Sequence, residues 1–275
     1  MIDLHTHTTA SDGRSSPAEL VECAVQSGVT VLSVTDHDTT GGLSASRAAC
    51  AAAGIEFVPG IEITAVANGR DVHVLGYFFD PESASLQTFL AEQRERRVDR
   101  VRQMVSRLAE HSIVLDADAI LAPGLASRST SVGRPWIARA LVQKGYVADV
   151  NEAFEKWLGH GRPGFVPRIG APPPDVFTEI HRAGGLASLA HPINLRHDEW
   201  LEGYAAAGLD AIEVYHSDHD EAASRRYLNF ATTLGLLVTG GSDYHGDDSH
   251  GGAPGSVSLP REAFERLKAR GTNAR

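Results

Sequence analysis

Short apolar runs, each ending in an imidazole or a carboxylate and each followed by a helical stretch, recur along this chain and leave few folds open to it. Val29 to Val34 is a β-branched run of the kind buried in parallel sheets, and it stops at Thr35-Asp36-His37-Asp38. Ile55 to Val58 runs into Pro59-Gly60-Ile61-Glu62, and Asp71 to Phe78 alternates through His73. Leu186 to Ala190 ends at His191, Ala211 to Tyr215 at His216, and Leu236 to Thr239 at Gly240-Gly241-Ser242-Asp243-Tyr244-His245. Between them the helices declare themselves by their ends. Ser16-Pro17-Ala18-Glu19 reads as N-cap, proline at N1 and glutamate at N3, while Gly28 and Gly54 supply stops. About seven strands alternating with helices predict an α/β fold, a parallel sheet closed into a distorted barrel. In such barrels the active site lies at the C-terminal strand ends, where this sequence concentrates its chemistry.

The first residues set that chemistry out most densely. Met1-Ile2-Asp3-Leu4-His5-Thr6-His7 reads as a short strand whose alternate residues share a face. Ile2 and Leu4 turn to the core; Asp3, His5 and His7 turn the other way, with Asp12 close behind. Two imidazoles two strand steps apart, about 7 Å at Cα, can converge on one metal ion. His-x-His alone reads equally well as two solvated side chains on an edge strand. Seven of the 13 histidines, however, fall at or near strand ends, with Glu62 and Asp243 among them. So many converging donors point to a metal centre, and an all-nitrogen-and-oxygen set suits Mn, Fe or Zn.

Composition bounds the rest. A chain of 275 residues, 42% hydrophobic, buries a substantial core in one large α/β domain or in a domain with an insert. Its net charge of −10 argues against a broad nucleic-acid-binding face, although bound cations would reverse the local field for an anionic substrate. No apolar run approaches the roughly 18 residues of a membrane helix, and Asp3 and His5 arrive too early for a signal peptide. Cys23 and Cys50 lie in helix-like stretches outside any Cys-x-x-Cys, so a cytoplasmic protein with two reduced thiols is expected.

From residue 86 to 167 no strand-like run occurs, and this stretch is expected to be a helical insert between barrel segments 1–85 and 168–275. Leu86, Leu90, Val101, Met104, Val105 and Leu108 recur at helical spacing. The arginines between them, including Arg97 and Arg100, read mostly as a solvated face paired with Glu92, Glu95 and Asp99. The loop from Ser127 to Arg134 reads two ways. It is a surface loop with a capping serine, or a phosphate grip in which Arg134 binds bidentately, helped by Arg128, Ser129 and Ser131. Arg168, where the chain re-enters the barrel, is a further candidate.

Five ordered motifs make the pattern specific: Asp-Leu-His-Thr-His at 3–7, Thr-Asp-His-Asp at 35–38, Gly-Ile-Glu at 60–62, Ala-His-Pro at 190–192 and Gly-Ser-Asp-Tyr-His at 241–245. Together they resemble the polymerase and histidinol phosphatase (PHP) family of the wider amidohydrolase group, and the insert resembles its TrpH-like branch. The resemblance implies a distorted (β/α)7 barrel holding three divalent ions, with Mn favoured and Zn or Fe as alternatives. It would place His5, His7, Glu62 and Asp243 on one ion, with Glu62 bridging to a second that His73 and His191 complete. Asp12, His37 and His245 would hold the third; the family often carries histidine where Asp12 stands.

Three cations around one phosphate suit phosphate-ester hydrolysis, with in-line attack by a hydroxide shared between ions. The branch further implies removal of the 3′-phosphate from nucleoside 3′,5′-bisphosphates and trimming of short RNA from its 5′ end. His216, left over from the ligand set, is expected as the acid for the leaving oxygen or as a neutral group orienting substrate. Asp36 is expected either to orient a ligand histidine or to cap the following helix. The expected partner is a small phosphorylated substrate, with no membrane and no stable nucleic-acid complex. Histidinol-phosphate hydrolysis and a non-catalytic metal or nucleotide sensor are the alternatives.

Overall fold

A computed structural model describes residues 1–127, 129–246 and 252–273. Its seven strands are β1 (Ile2–Asp3), β2 (Val31–Val34), β3 (Glu56–Ala67), β4 (Arg70–Tyr77), β5 (Leu186–Leu189), β6 (Ala211–Tyr215) and β7 (Leu237–Gly240). They lie in one sheet in sequence order. β1 to β3 are parallel to one another, as are β5 to β7. β4 runs antiparallel to both its neighbours, which corrects the expected all-parallel sheet. The reason is local. Asn68 and Gly69, at φ 50° and 75°, make a two-residue turn, so β3 and β4 form a hairpin and no crossover helix is needed. β3 also continues well past Val58, carrying Glu62 in its middle. Because β4 is reversed, its first half, with His73 opposite Thr64, lies at the rim formed by the C-terminal ends of the other strands.

The chain after β7 returns to β1 and nearly closes the barrel. The Leu4 N–H donates to the Gly240 carbonyl at 3.2 Å and the Asp243 N–H to the His5 carbonyl at 2.8 Å. A Cβ on Gly241 would lie 2.3 Å from the His5 nitrogen, so glycine is required for this approach. Asp3, expected beside His5 and His7, instead serves the seam. Its carboxylate accepts from the Ser242 N–H (2.9 Å), the Ser242 hydroxyl (2.6 Å) and the Gly255 N–H (2.7 Å).

Helices α1 (Pro17–Gln26) and α2 (Leu43–Ala53) pack outside the first strands. α1 has the expected capping box: the Ser16 hydroxyl accepts from the Glu19 N–H and the Glu19 carboxylate from the Ser16 N–H. The final helix, Arg261–Asn273, places Phe264 and Leu267 against Ile2, Leu4, Val31 and Ala211 beneath the N-terminal strand ends.

Between β4 and β5 lie α3 (Ala84–Ala109), α4 (Ala117–Ala126), α5 (Arg134–Gln143), α6 (Val150–Ala153) and a π turn at Phe154–Leu158. They surround a core of their own that includes Val101, Met104, Leu108, Ile137, Leu141 and Leu158. The arginine face of α3 is only partly solvated. Arg96 pairs on the surface with Glu92, but Arg97 and Arg100 are buried. Arg97 Nε donates to Asp38 Oδ2 at 2.5 Å and its NH2 to the Thr64 hydroxyl at 2.9 Å, tying α3 to the barrel rim. Among the described residues no helix is long and apolar enough to cross a membrane.

Candidate metal centre and its cavity

Glu62 is the hub of the rim. Its Oε2 lies 3.3 Å from His5 Nε2, 3.2 Å from His7 Nε2 and 3.2 Å from His37 Nδ1. Its Oε1 lies 2.7 Å from His73 Nδ1 and 3.1 Å from His191 Nε2. Asp243 Oδ1 stands 3.2 Å from His5 Nε2 and 3.1 Å from His7 Nε2. Asp12 closes the far side, with Oδ1 3.4 Å from His245 Nε2 and Oδ2 3.6 Å from His37 Nε2. All nine expected ligands therefore converge: Glu62 and His73 from within the β3–β4 hairpin, the others from strand ends and the loops that follow them.

Their donor atoms fall into overlapping groups, each spanning no more than 4.8 Å: His5, His7, Glu62 and Asp243; His37, Glu62 and His73; His7, Asp12, His37 and His245. Both ring nitrogens of His7, His37 Nδ1 and Asp243 Oδ1 are buried and make no hydrogen bond. Unsatisfied buried donors and acceptors are costly, and a set of imidazoles and carboxylates at this spacing fits divalent cations.

Charge within the cluster is strongly coupled. Burial disfavours protonated His7, but Asp243 and Glu62 outweigh it and carry its pKa up to about 10. In His37 burial wins despite Glu62 and Asp12, and its pKa falls to about 3. Burial likewise opposes ionisation of Glu62, Asp12 and Asp243, yet the surrounding histidines hold all three well below the usual carboxylate range.

Backbone strain accompanies the site. His191 and Asp243 adopt φ of 25° and 54°, unusual for residues with a Cβ. Glu213, which sequence reasoning missed, supports the first of these. Fully buried, it accepts from the His191 N–H at 2.7 Å through Oε2 and lies 3.0 Å from His5 Nδ1 through Oε1. The only trace in the sequence is an acid in the middle of the apolar strand Ala211-Ile212-Glu213-Val214-Tyr215.

Neither Asp36 nor His216 lines the cavity. Asp36 neither orients a histidine nor caps α2, whose N-cap is Gly42. Its carboxylate accepts from the Thr8 N–H (2.8 Å), the Thr8 hydroxyl (2.7 Å) and the Ser11 hydroxyl (2.7 Å), fixing the loop between His7 and Asp12. His216 lies behind Asp243, its Nε2 3.4 Å from Asp243 Oδ2, and its Nδ1 accepts from the Asp218 N–H at 3.0 Å. It is 3% exposed, its buried Nε2 makes no hydrogen bond, and with His5 and Glu213 it forms a further group of donor atoms within 4.8 Å of one another.

The cavity itself holds about 640 Å³. Metal-centre residues form one side; Arg97, Arg134, Arg139 and Arg168 form another. Asp71, also missed, anchors the second group. Its carboxylate lies 3.4 Å from Arg134 NH2, 3.4 Å from Arg168 Nε and 3.9 Å from Arg100 NH1. Burial, aided by mutual repulsion among the arginines, brings Arg168 down to about 10 and Arg100 to about 9. Ser129 and Ser131 do not line this cavity. The Thr39 hydroxyl donates to the Ser129 carbonyl at 2.7 Å and the Ser131 N–H to the Ala10 carbonyl at 2.8 Å, so both dock the loop onto the barrel. Arg128 lies outside the described residues.

The PHP domain family matches residues 3–148, just over half of the chain. This chain belongs to the PHP family. A 3′,5′-nucleoside bisphosphate phosphatase from Chromobacterium violaceum is 34% identical over 98% of this chain and 97% of its own length. A 5′-3′ exoribonuclease from Haemophilus influenzae is 34% identical over 88% of this chain and 89% of its own. Among solved structures, a protein from Bifidobacterium adolescentis assigned as a metal-dependent phosphoesterase superposes with a TM-score of 0.90 at 33% identity, covering 98% of this chain and 95% of that one. With the buried donor groups, these findings make the chain a metal-dependent PHP phosphoesterase.

Proposed function

We propose that this phosphoesterase removes the 3′-phosphate of nucleoside 3′,5′-bisphosphates, with the 5′ end of short RNA as a second substrate of the same site. The observation that carries this reading is the shape of the charge: one cavity has a cluster of metal-type donors on one side and, on another, arginines gathered at Asp71. A single phosphate needs only the first; a second phosphate gives the arginines a ligand, and guanidinium suits phosphate oxygens bidentately.

Nine residues, His5, His7, Asp12, His37, Glu62, His73, His191, Asp243 and His245, would hold three divalent cations, Mn foremost. When bound, such ions neutralise charge building on phosphoryl oxygens and supply water activated near neutral pH. The protein's own groups do the positioning. Glu62 holds both halves of the cluster, and Glu213 fixes the His5 ring and the His191 backbone. Arg134 and Arg168, aligned by Asp71, take the second phosphate. The insert at 86–167 acts as the specificity element on a barrel made of 1–85 and 168–275. Free Cys23 and Cys50 suit a reducing cytoplasm.

The test is a substrate panel with Mn-loaded protein: adenosine 3′,5′-bisphosphate, AMP, histidinol phosphate and p-nitrophenyl phosphate. Release of the 3′-phosphate to leave AMP, with the highest kcat/KM of the panel, is expected; histidinol phosphate as the best substrate would replace this reading.

A further inference from the structure

The mouth of the cavity carries groups that phosphoryl chemistry does not use. Phe154, half-buried, lines it together with Val150, Asn151 and Pro135, all from α5, α6 and the π turn. A π turn with i→i+5 bonding spans Phe154–Leu158, and Phe154 packs against the insert core on one side. Leu158 is fully buried in the insert core, while Phe154 reaches the cavity wall. The Arg134 guanidinium lies over the Phe154 ring, 5.6 Å from its centroid, and the same arginine pairs with Asp71. An aromatic face is thus fixed beside the phosphate grip. Asn151, exposed and one turn earlier on the same mouth, offers an amide that both donates and accepts.

We propose that Phe154 and Asn151 form a nucleobase platform: the aromatic base of the substrate stacks with the Arg134–Phe154 pair, and its polar edge meets the Asn151 amide. The proposal rests on the nucleotide reading of the site and adds where the base is held. A cavity of about 640 Å³ has room for a nucleoside as well as its phosphates. Stacking of a base on an aromatic side chain is sequence-tolerant, so any of the common bases is accepted.

The test compares adenosine 3′,5′-bisphosphate with methyl riboside 3,5-bisphosphate, which has both phosphates and no base. Wild type is expected to prefer the nucleotide in kcat/KM by roughly 5- to 150-fold, the range of one stacking contact. Phe154→Ala should erase most of that preference through KM, and Phe154→Trp should keep it. Phe154 also packs on the insert core, so Phe154→Leu, which retains apolar bulk without a π face, is measured beside it with a melting curve. A preference that survives in a folded Leu variant overturns the platform, as does its absence in wild type. AMP binding by calorimetry separates the two readings. If neither bisphosphate is hydrolysed but AMP binds and weakens in Phe154→Leu, the platform stands and the bisphosphate reading falls. AMP affinity equal in the two proteins overturns the platform.

Discussion

The two sides of the cavity solve opposite electrostatic problems. At the rim of the barrel, imidazoles and carboxylates are packed so closely that buried His7 is driven toward charge while adjacent His37 is driven from it. On the insert side, guanidinium groups outnumber the single Asp71 carboxylate that gathers them. The first arrangement fits divalent cations, and the second carries an excess of positive charge. Each also rests on a different kind of support: strand ends locked by backbone pairing against helices clamped by Arg97 and Asp38. A substrate bridging the two sides feels both.

Substitutions can break that contrast one side at a time. The largest effect is expected from Glu62→Ala, which removes the hub shared by five histidines; kcat should fall at least about 10³-fold for every phosphate ester, bisphosphate or not, with fewer metals retained by elemental analysis. Arg134→Ala comes next. Losing a charge-assisted grip should lower kcat/KM for adenosine 3′,5′-bisphosphate by roughly 10- to 100-fold and cost p-nitrophenyl phosphate far less. Equal losses on the two substrates would remove the division of labour between the sides. Glu213→Gln should weaken metal affinity by about 10- to 100-fold, read by competition with a chelating dye, because the buried partner of His5 is changed while its volume is kept. The smallest effect belongs to Ser129→Ala. Its contact with Thr39 is made by the backbone carbonyl, so steady-state constants should stay within about twofold and stability within about 0.5 kcal/mol.

The metal side was legible in the sequence because its residue types are uncommon at strand ends and come in ordered motifs. His5, His7, His37, Glu62, Asp243 and their companions needed only a barrel to bring them together, and the alternation of elements supplied one. The arginine side was far less legible. Arg97 and Arg100 sit in the same amphipathic pattern as surface-paired Arg96, and only tertiary packing decides which faces water. Asp71 read as the start of a strand, since nothing near it in sequence reveals three arginines brought from α3, α5 and the segment before β5. Arg134 and Arg168 do line the cavity, whereas Ser129 and Ser131 do not, because a Ser-rich loop supports docking as readily as phosphate binding. Asp36 shows the limit of assigning leftover polar residues to catalysis: it is buried and employed in fixing the loop between His7 and Asp12. The reversed β4 was missed because the Asn68-Gly69 pair, a hairpin signal between the two strands, was passed over.

That hairpin has a consequence for selectivity. Glu62, His73 and Asp71 all ride on one two-stranded ribbon, and His73 and Asp71 are two steps apart along β4, about 7 Å. The ribbon therefore behaves as a calliper whose jaws are the metal donors and the arginine anchor, with an opening set by backbone geometry. Nucleotides whose phosphates are spaced more widely than a single ribose allows should fall outside its span.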